Sequence, residues 1–174
     1  MRKRRIRLIA AAIALICITI LSQYVYFRFV KKDAPVQDIS IPGNAERVEV
    51  VWVSDGDTYI VNRNGEEVTI RLIGVDTPES VASEEYQEKS GKHNTYKGRE
   101  ASEAMKEVLP KGTFIYILPG KEDTDKYGRT LVYAWFEDGR MIEDFLLENG
   151  YAKTLEIPPN TEYAGHFREV EKKA

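Results

Sequence analysis

Three short polar clusters interrupt the apolar segments of this sequence, and they hold the residues whose types are best suited to chemistry. The clusters lie at residues 55–58, 71–79 and 125–129. Each taken singly has an ordinary explanation, because Asp-Gly, Asp-Thr-Pro and Tyr-Gly are common turn sequences. Taken together, they combine carboxylates, which bind cations, with two arginines, which bind anions.

The position of Arg71 favours a role beyond that of a surface charge. It lies in the middle of the run at residues 69–75, where its immediate neighbours are apolar. A guanidinium group in such surroundings is unfavourable unless an anion compensates it. Two interpretations stay open, a bound anion and an ion pair at the rim of a barrel.

The supply of metal ligands argues against a zinc site. The sequence has two histidines, His93 and His166, and one cysteine, Cys17, which lies in the apolar N-terminal segment. These residues do not make a zinc ligand set. The same scarcity counts against a cysteine or histidine nucleophile, and no motif of a serine triad is present.

Oxygen ligands remain, and they favour a hard cation such as calcium. Asp57, Asp76 and the Thr77 carbonyl can supply direct oxygens. Three further residues can reach the ion through water: Asp55, Thr58 and Glu79.

The clusters together resemble the staphylococcal nuclease family in spacing, order and residue type. The resemblance covers about residues 51–153 and rests on VSDGDT, RLIGVDTPE, YKGREA, TDKYGR and NGYAK. It implies a calcium-dependent hydrolase of DNA and RNA that leaves 3′-phosphate ends. By motif, it implies that Asp57 and Asp76 are the calcium carboxylates and that the Thr77 carbonyl is the third protein ligand.

The same resemblance assigns the catalytic side chains. Glu79 takes the position of the general base, and Arg71 and Arg129 take those of the phosphate-binding arginines. These roles are physically reasonable, because phosphodiester hydrolysis develops negative charge on the phosphoryl oxygens. Lys126 and Tyr127 are candidate contacts to the nucleotide phosphate, with a structural role of Tyr127 in the turn as the alternative.

Two features depart from the family pattern. The tyrosines that stack on the base in the family have no clear counterpart at residues 154–159. All 28 acidic residues but only 17 of the 25 basic ones follow position 32, so this part carries a net charge of −11. A polyanion is normally held by a basic field, so we expect local contacts and weaker binding to long polymers.

Apolar periodicity predicts the elements that position these residues. An alternation of period two predicts five strands. They lie near residues 48–52, 59–61, 68–75, 113–118 and 130–136, and the alternation places Val48, Val50 and Trp52 on one side of the first strand. Repeats at three and four predict three helices. They lie near residues 101–109, near 142–147 and from about 161 onward, the last with Asn160 as its cap. Polar stretches at residues 79–97 and 119–129 predict loops.

This order of elements predicts an α+β fold, a five-stranded OB-type Greek-key β-barrel with three helices. Residues 8–27 lack charged side chains, and a 20-residue helix can cross a hydrocarbon layer of about 30 Å. We therefore expect one N-terminal transmembrane helix within residues 1–32, a linker at 33–44 and the nuclease-like domain at 45–174.

The orientation of that helix follows from its flanking charges. The heavier basic cluster precedes it, which predicts a single-pass protein of the cell membrane with its domain outside. The alternative is secretion after cleavage of a signal peptide, although Ile20, Leu21 and Ser22 fit a cleavage site poorly. We expect DNA and RNA as substrates, the membrane as a partner through residues 8–27, and a monomer.

A second function class must be weighed against the nuclease. OB barrels are frequent binding platforms, and a fold does not define a function. The alternative is therefore a catalytically inactive OB-fold module that binds nucleic acid or protein at the cell surface. The presence of Asp57, Asp76, Glu79, Arg71 and Arg129 in one sequence favours the enzyme.

Overall fold

The computed structural model describes residues 39–80 and 95–174, and within these ranges the chain forms seven strands and three helices. The strands are β1 (Glu46–Asp55), β2 (Thr58–Arg63), β3 (Glu66–Leu72), β4 (Val75–Asp76), β5 (Phe114–Thr124), β6 (Thr130–Phe136) and β7 (Lys153–Thr154). The helices are α1 (Tyr96–Val108), α2 (Ile142–Glu148) and α3 (Ala164–Glu171).

Five of these strands close into a barrel in the order β1-β2-β3-β6-β5. All neighbours pair antiparallel except β3 and β6, which are parallel, and β5 pairs with β1 to complete the ring. Closure leaves these strands without a free edge. The predicted five-stranded OB-type barrel with three helices is confirmed.

The hairpin between β2 and β3 sets the register that the site depends on. Asn64 and Gly65 both adopt a positive φ, 56° and 91°, as the tight turns of hairpins require. The Gly65 N–H donates to the Asn62 side chain over 2.9 Å. From this turn the two strands pair residue by residue, and the ladder ends with Thr58 opposite Arg71.

The interior of the barrel is apolar, and a β-bulge decides which residues of β1 fill it. Val48, Val50 and Val53 are buried, whereas Trp52 is 56% exposed. The register between β1 and β2 shifts between Val50 and Trp52. The expectation that Trp52 shares a face with Val48 and Val50 was therefore wrong, because the extra residue of a bulge reverses the alternation.

The third predicted strand is shorter than expected at its C-terminal end. It stops at Leu72, and Gly74 has a φ of 87°. A Cβ atom at Gly74 would overlap the ring of Phe167, so glycine allows both the turn and the close packing. After this break, β4 pairs with β7 in a separate two-stranded sheet.

The helices cover the barrel with their apolar faces. In α1, Ala101 and Met105 are buried, and Leu109 follows them. Phe167 of α3 is buried, and its ring lies 6.4 Å from that of Tyr133 on β6. These contacts join the helices to the strands that carry the polar clusters.

The expected start of the last helix was wrong. Tyr163, not Asn160, precedes α3. The side chain of Asn160 instead bonds the main chain of Glu122, accepting from its N–H over 3.0 Å and donating to its carbonyl over 2.7 Å. The Asn160 side chain pairs like a backbone unit, joins the segment before α3 to β5, and is not available as a cap.

The predicted membrane span at residues 8–27 lies outside the described residues. Within residues 39–80 and 95–174, the helices are all too short or too polar to cross a bilayer.

Ile39 and Ile41, in the stretch predicted as a linker, pack against the core. The Trp135 indole N–H donates to the Ile39 carbonyl over 2.7 Å.

Candidate active site

The turn between β1 and β2 brings the first polar cluster to one end of the barrel. Tyr59, which is fully buried, donates its hydroxyl to the Gly56 carbonyl over 2.7 Å. The Leu72 N–H donates to the Asp57 carbonyl over 3.0 Å. These two bonds fix the main chain around Asp57 to the core and to β3. Burial raises the pKa of Tyr59, and the nearby Asp57 carboxylate raises it further, so its hydroxyl stays protonated as a donor.

One guanidinium group joins the first two clusters. Arg71 Nη1 lies 2.8 Å from Asp57 Oδ2, and Arg71 Nη2 lies 3.1 Å from Asp76 Oδ1. Arg71 is only 9% exposed, so its charge depends on these carboxylates for compensation. The carboxylates of Asp57, in the turn after β1, and Asp76, in β4, therefore meet around one cationic side chain.

Asp57 is also held by the second cluster. Its Oδ2 accepts hydrogen bonds from the Thr77 N–H over 2.8 Å and from the Thr77 hydroxyl over 2.7 Å. Its Oδ1 accepts from the Thr58 hydroxyl over 3.1 Å. A Cβ atom at Gly56 would collide with the Thr77 side chain, so the two turns approach this closely only because residue 56 is glycine.

The third cluster is a self-contained turn between β5 and β6. Asp125 Oδ1 accepts from the N–H groups of Tyr127 and Arg129 over 2.9 and 3.0 Å. Its Oδ2 lies 2.7 Å from Arg129 Nη2. Burial alone would raise the pKa of Asp125, but these hydrogen bonds and the Arg129 charge hold it below its ordinary value. Gly128, with a φ of 81°, permits the tight return of the chain.

The tip of this turn presents a basic and aromatic surface. Tyr127 is 51% exposed. Lys126 Nζ lies 5.0 Å and Arg129 Cζ 5.4 Å from the centre of its ring. Such stacking orients cationic groups beside an aromatic face.

One cavity of about 400 Å³ collects the side chains of all three clusters. Every residue with a predicted role except Thr77 lines it. Those residues are Asp55, Asp57, Thr58, Arg71, Asp76, Glu79, Lys126, Tyr127 and Arg129. Thr77 lies behind Asp57 and is 2% exposed. The structure thus brings all these side chains except that of Thr77 to one cavity, and the roles assigned to them stay predictions.

One wall of the cavity was missed by sequence reasoning. Leu155 and Ile157 line it, although they are 37% and 60% exposed. The only signal in the sequence was two apolar residues in a segment with proline and no periodicity, which is also common in ordinary loops. The site therefore has a polar side with two arginines and an aliphatic side.

The donor atoms fit a hard cation with few protein ligands. Within residues 39–80 and 95–174, no three histidine, cysteine, aspartate or glutamate side chains are grouped as a metal site. Two carboxylates, those of Asp57 and Asp76, do converge. Calcium takes about six to eight oxygens and accepts carbonyls and water among them, so two carboxylates suit it. They do not suit zinc, which favours nitrogen and sulfur.

The fold and the site define a class. This is an OB-type barrel domain whose cavity combines two arginines, which match phosphate geometry, with paired carboxylates that suit a hard cation. The sequence profile described as "Staphylococcal nuclease homologue" matches residues 69–174.

Curated relatives agree with that match. The chain is 35% identical over 152 residues to "Thermonuclease" of Staphylococcus intermedius, which covers 85% of this chain and 83% of that protein. It is 32% identical over 152 residues to "Thermonuclease" of Staphylococcus hyicus, covering 84% and 82%. It is 35% identical over 121 residues to "Endonuclease YncB" of Bacillus subtilis (strain 168), covering 69% and 54%. The chain belongs to the staphylococcal nuclease family.

Proposed function

We propose that this protein is a calcium-dependent nuclease that hydrolyses phosphodiester bonds of DNA and RNA and leaves 3′-phosphate ends. The observation that carries the proposal is the meeting of Asp57 and Asp76 at Arg71, in the same cavity as Arg129. Membership of a nuclease family, with relatives named thermonuclease and endonuclease, supports the activity.

The two arginines bind the phosphoryl oxygens. A guanidinium group offers paired N–H donors that match two oxygens of a phosphate, and these bonds strengthen as charge develops in the transition state. Arg71 and Arg129 line one cavity, each oriented by a carboxylate. Asp57, Asp76 and the Thr77 carbonyl would hold the calcium ion, which when bound supplies further positive charge to the phosphoryl group.

Glu79 orients the attacking water and takes up its proton. It is half-buried and lines the cavity that also holds both arginines. Pro78, which precedes it, restricts the main chain and so helps to fix the carboxylate. Water attacks phosphorus while its proton passes to Glu79, and the 5′-oxygen leaves and takes a proton from solvent, so the phosphate remains on the 3′ side. Lys126 and Tyr127 contact the nucleotide phosphate at the tip of the third cluster.

The proposed location is the outer face of the cell membrane, with residues 8–27 as the anchor, or the medium if that segment is cleaved. Calcium is plentiful outside cells, which suits the proposed metal. The excess of acidic residues after position 32 suits an enzyme that engages its substrate locally. We propose that the protein acts as a monomer.

Digestion of single-stranded DNA and of RNA by the full 174-residue chain tests this function. Cleavage in calcium, its loss with a chelator, and products that carry 3′-phosphate ends are expected. Equal activity with and without the chelator would reject the metal. Binding of nucleic acid in calcium without any cleavage would reject the enzyme and favour the inactive binding module.

A further inference from the structure

The main chain around Glu79 is held from two sides, by Thr95 and by Asp55. On one side, the Thr95 N–H donates to the Glu79 carbonyl over 2.9 Å. On the other, the Ser80 N–H donates to Asp55 Oδ2 over 3.3 Å, at the end of β1. Asp55 in turn accepts from the Gly56 N–H over 2.8 Å. The segment that carries the proposed catalytic carboxylate is thus fixed between β1 and the start of α1.

The first turn of α1 reaches this segment because residue 98 is glycine. Gly98 is buried, and a Cβ atom there would overlap the carbonyl groups of both Pro78 and Glu79. The overlapping atoms belong to the main chain, so they cannot rotate away as a flexible side chain would. Glycine is otherwise the least suitable residue after proline for a helix, so its presence is explained by this contact.

Thr95 links the N-terminus of α1 to the main chain of Glu79. Its hydroxyl caps α1 by accepting from the Gly98 N–H over 2.9 Å. The same hydroxyl lies 3.5 Å from the Glu79 carbonyl. Thr95 therefore bonds both the helix and the Glu79 main chain, which couples their positions.

The rest of α1 is fixed on the barrel. Ala101, Met105 and Leu109 are at most 1% exposed. At the C-terminal end of the helix, the Leu109 N–H donates to the Met105 carbonyl over 2.8 Å. A helix buried along this face does not shift easily, since displacing it would open the core. The helix therefore forms a rigid connection between the core and the main chain of Glu79.

We propose that Gly98 and Thr95 are positioning residues for the Glu79 carboxylate, acting through close contact of the α1 terminus with the Pro78–Glu79 main chain. This rests on the proposed function, in which Glu79 orients the attacking water. Neither residue lines the cavity that the catalytic side chains share. Their effect arises because a carboxylate displaced by a fraction of an ångström no longer aligns the water.

Gly98→Ala tests the contact, with Gly165→Ala as the matched control. Both replace a helical glycine, but a Cβ atom at Gly165 would meet only the Arg168 side chain, at 4.0 Å. In calcium and saturating single-stranded DNA, we expect Gly98→Ala to lower kcat by about tenfold to a hundredfold with little change in KM. Gly165→Ala should leave kcat unchanged. Equal kcat for the two variants would overturn the proposal.

Repeating Gly98→Ala in a Glu79→Ala background distinguishes an effect on the position of the Glu79 carboxylate from a general disturbance of the fold. If Gly98 acts only through Glu79, the second substitution should have no further effect on kcat. The same fold loss in both backgrounds would overturn the positioning role and leave the nuclease itself intact. A Glu79→Ala variant with full activity would overturn the role of Glu79, and with it this inference.

Substitutions at Thr95 provide the test if Gly98→Ala does not fold. Thr95→Ser keeps the capping hydroxyl, whereas Thr95→Ala removes it. We expect Thr95→Ala to lower kcat several-fold, with recovery in Thr95→Ser and no additional loss when Glu79 is already alanine. A Thr95→Ser variant as slow as Thr95→Ala would contradict the proposal.

Discussion

The two arginines of the cavity are held in different ways. Arg71, 9% exposed, lies on β3 and pairs with Asp57, in the turn before β2, and with Asp76, five residues further along the chain in β4. Arg129 lies at the end of a turn and pairs with Asp125, four residues earlier in the same turn. The first arrangement requires a closed barrel with the correct register, whereas the second requires only a local turn.

This difference predicts that stability and catalysis separate at the two positions. Arg71 compensates a nearly buried carboxylate, so its loss should affect both folding and activity. The Arg129 side chain is 25% exposed and its partner Asp125 is 16% exposed, so its contribution to stability is reduced by solvent. Its contribution to activity should nevertheless remain large, because it faces the same cavity.

Arg71→Met should have the largest effect. We expect kcat to fall by about 10³-fold and the free energy of unfolding without calcium to fall by about 3 kcal/mol, because Asp57 loses its counter-charge. Urea unfolding and steady-state kinetics measure both. Arg63→Met is the control, since the Arg63–Glu46 pair on a neighbouring strand is more exposed. A stability loss no greater than that of Arg63→Met would remove the distinction between the two arginines.

Arg129→Lys should affect catalysis almost alone. Lysine keeps the charge but cannot form the paired bonds, so kcat should fall by about 10²-fold or more. The free energy of unfolding should change by less than about 1 kcal/mol. Arg140→Lys, in another exposed turn pair, is the control for both measurements. Near-normal turnover of Arg129→Lys would contradict its role at the phosphate.

Glu143 provides a contrast to the carboxylates that pair with the two arginines, because it is a buried carboxyl group that accepts hydrogen bonds from the main chain. It is 0% exposed and accepts from the Ala134 N–H over 3.1 Å. Burial raises its pKa well above the ordinary value, against the smaller effect of main-chain hydrogen bonds. The folded protein therefore keeps a proton that the unfolded chain releases above about pH 4.3, and stability falls as the pH rises, by up to about 1.4 kcal/mol per unit.

Glu143→Gln should remove this pH dependence. We expect its stability relative to the parent chain to increase between about pH 5 and about pH 8, measured by urea unfolding. Glu148→Gln, on the exposed side of the same helix, should show no such trend. A relative stability that does not change with pH would mean that Glu143 is ionised in the folded protein.

Asp125→Asn should have the smallest effect. The pKa of Asp125 is lowered, so its stabilising contribution is present above its unfolded value of about 3.9 and is lost as the pH falls through the folded value. We expect a loss below about 1 kcal/mol at neutral pH that disappears in acid, and a decrease in kcat of about tenfold or less because Arg129 is less well oriented. A stability loss that persists in acid would indicate a neutral packing role.

Much of this arrangement was predictable from local sequence. The alternation of apolar residues predicted the five barrel strands, and the Asp125–Arg129 turn carries its own hydrogen-bonding partners within five residues. Residues in a local turn interact with near neighbours, so their types and spacing contain most of the necessary information. Side chains of the three clusters line one cavity, and the roles that the resemblance assigns to them stay predictions.

The features that escaped prediction depend on contacts distant in the sequence. The bulge that exposes Trp52 is set by pairing with β2, and the role of Asn160 is set by Glu122. The aliphatic wall of Leu155 and Ile157 becomes visible only when the loop lies beside the cavity. The contact of Gly98 with Glu79 likewise joins residues 19 positions apart. Periodicity and turn chemistry do not report such contacts.

The location of calcium in crystals of the full chain, determined by anomalous scattering, tests the central claim most directly. The account predicts one ion in contact with the Asp57 and Asp76 carboxylates and the Thr77 carbonyl, within the cavity that Arg71 and Arg129 line. An ion bound elsewhere, with Asp57 and Asp76 still paired with Arg71, would contradict it.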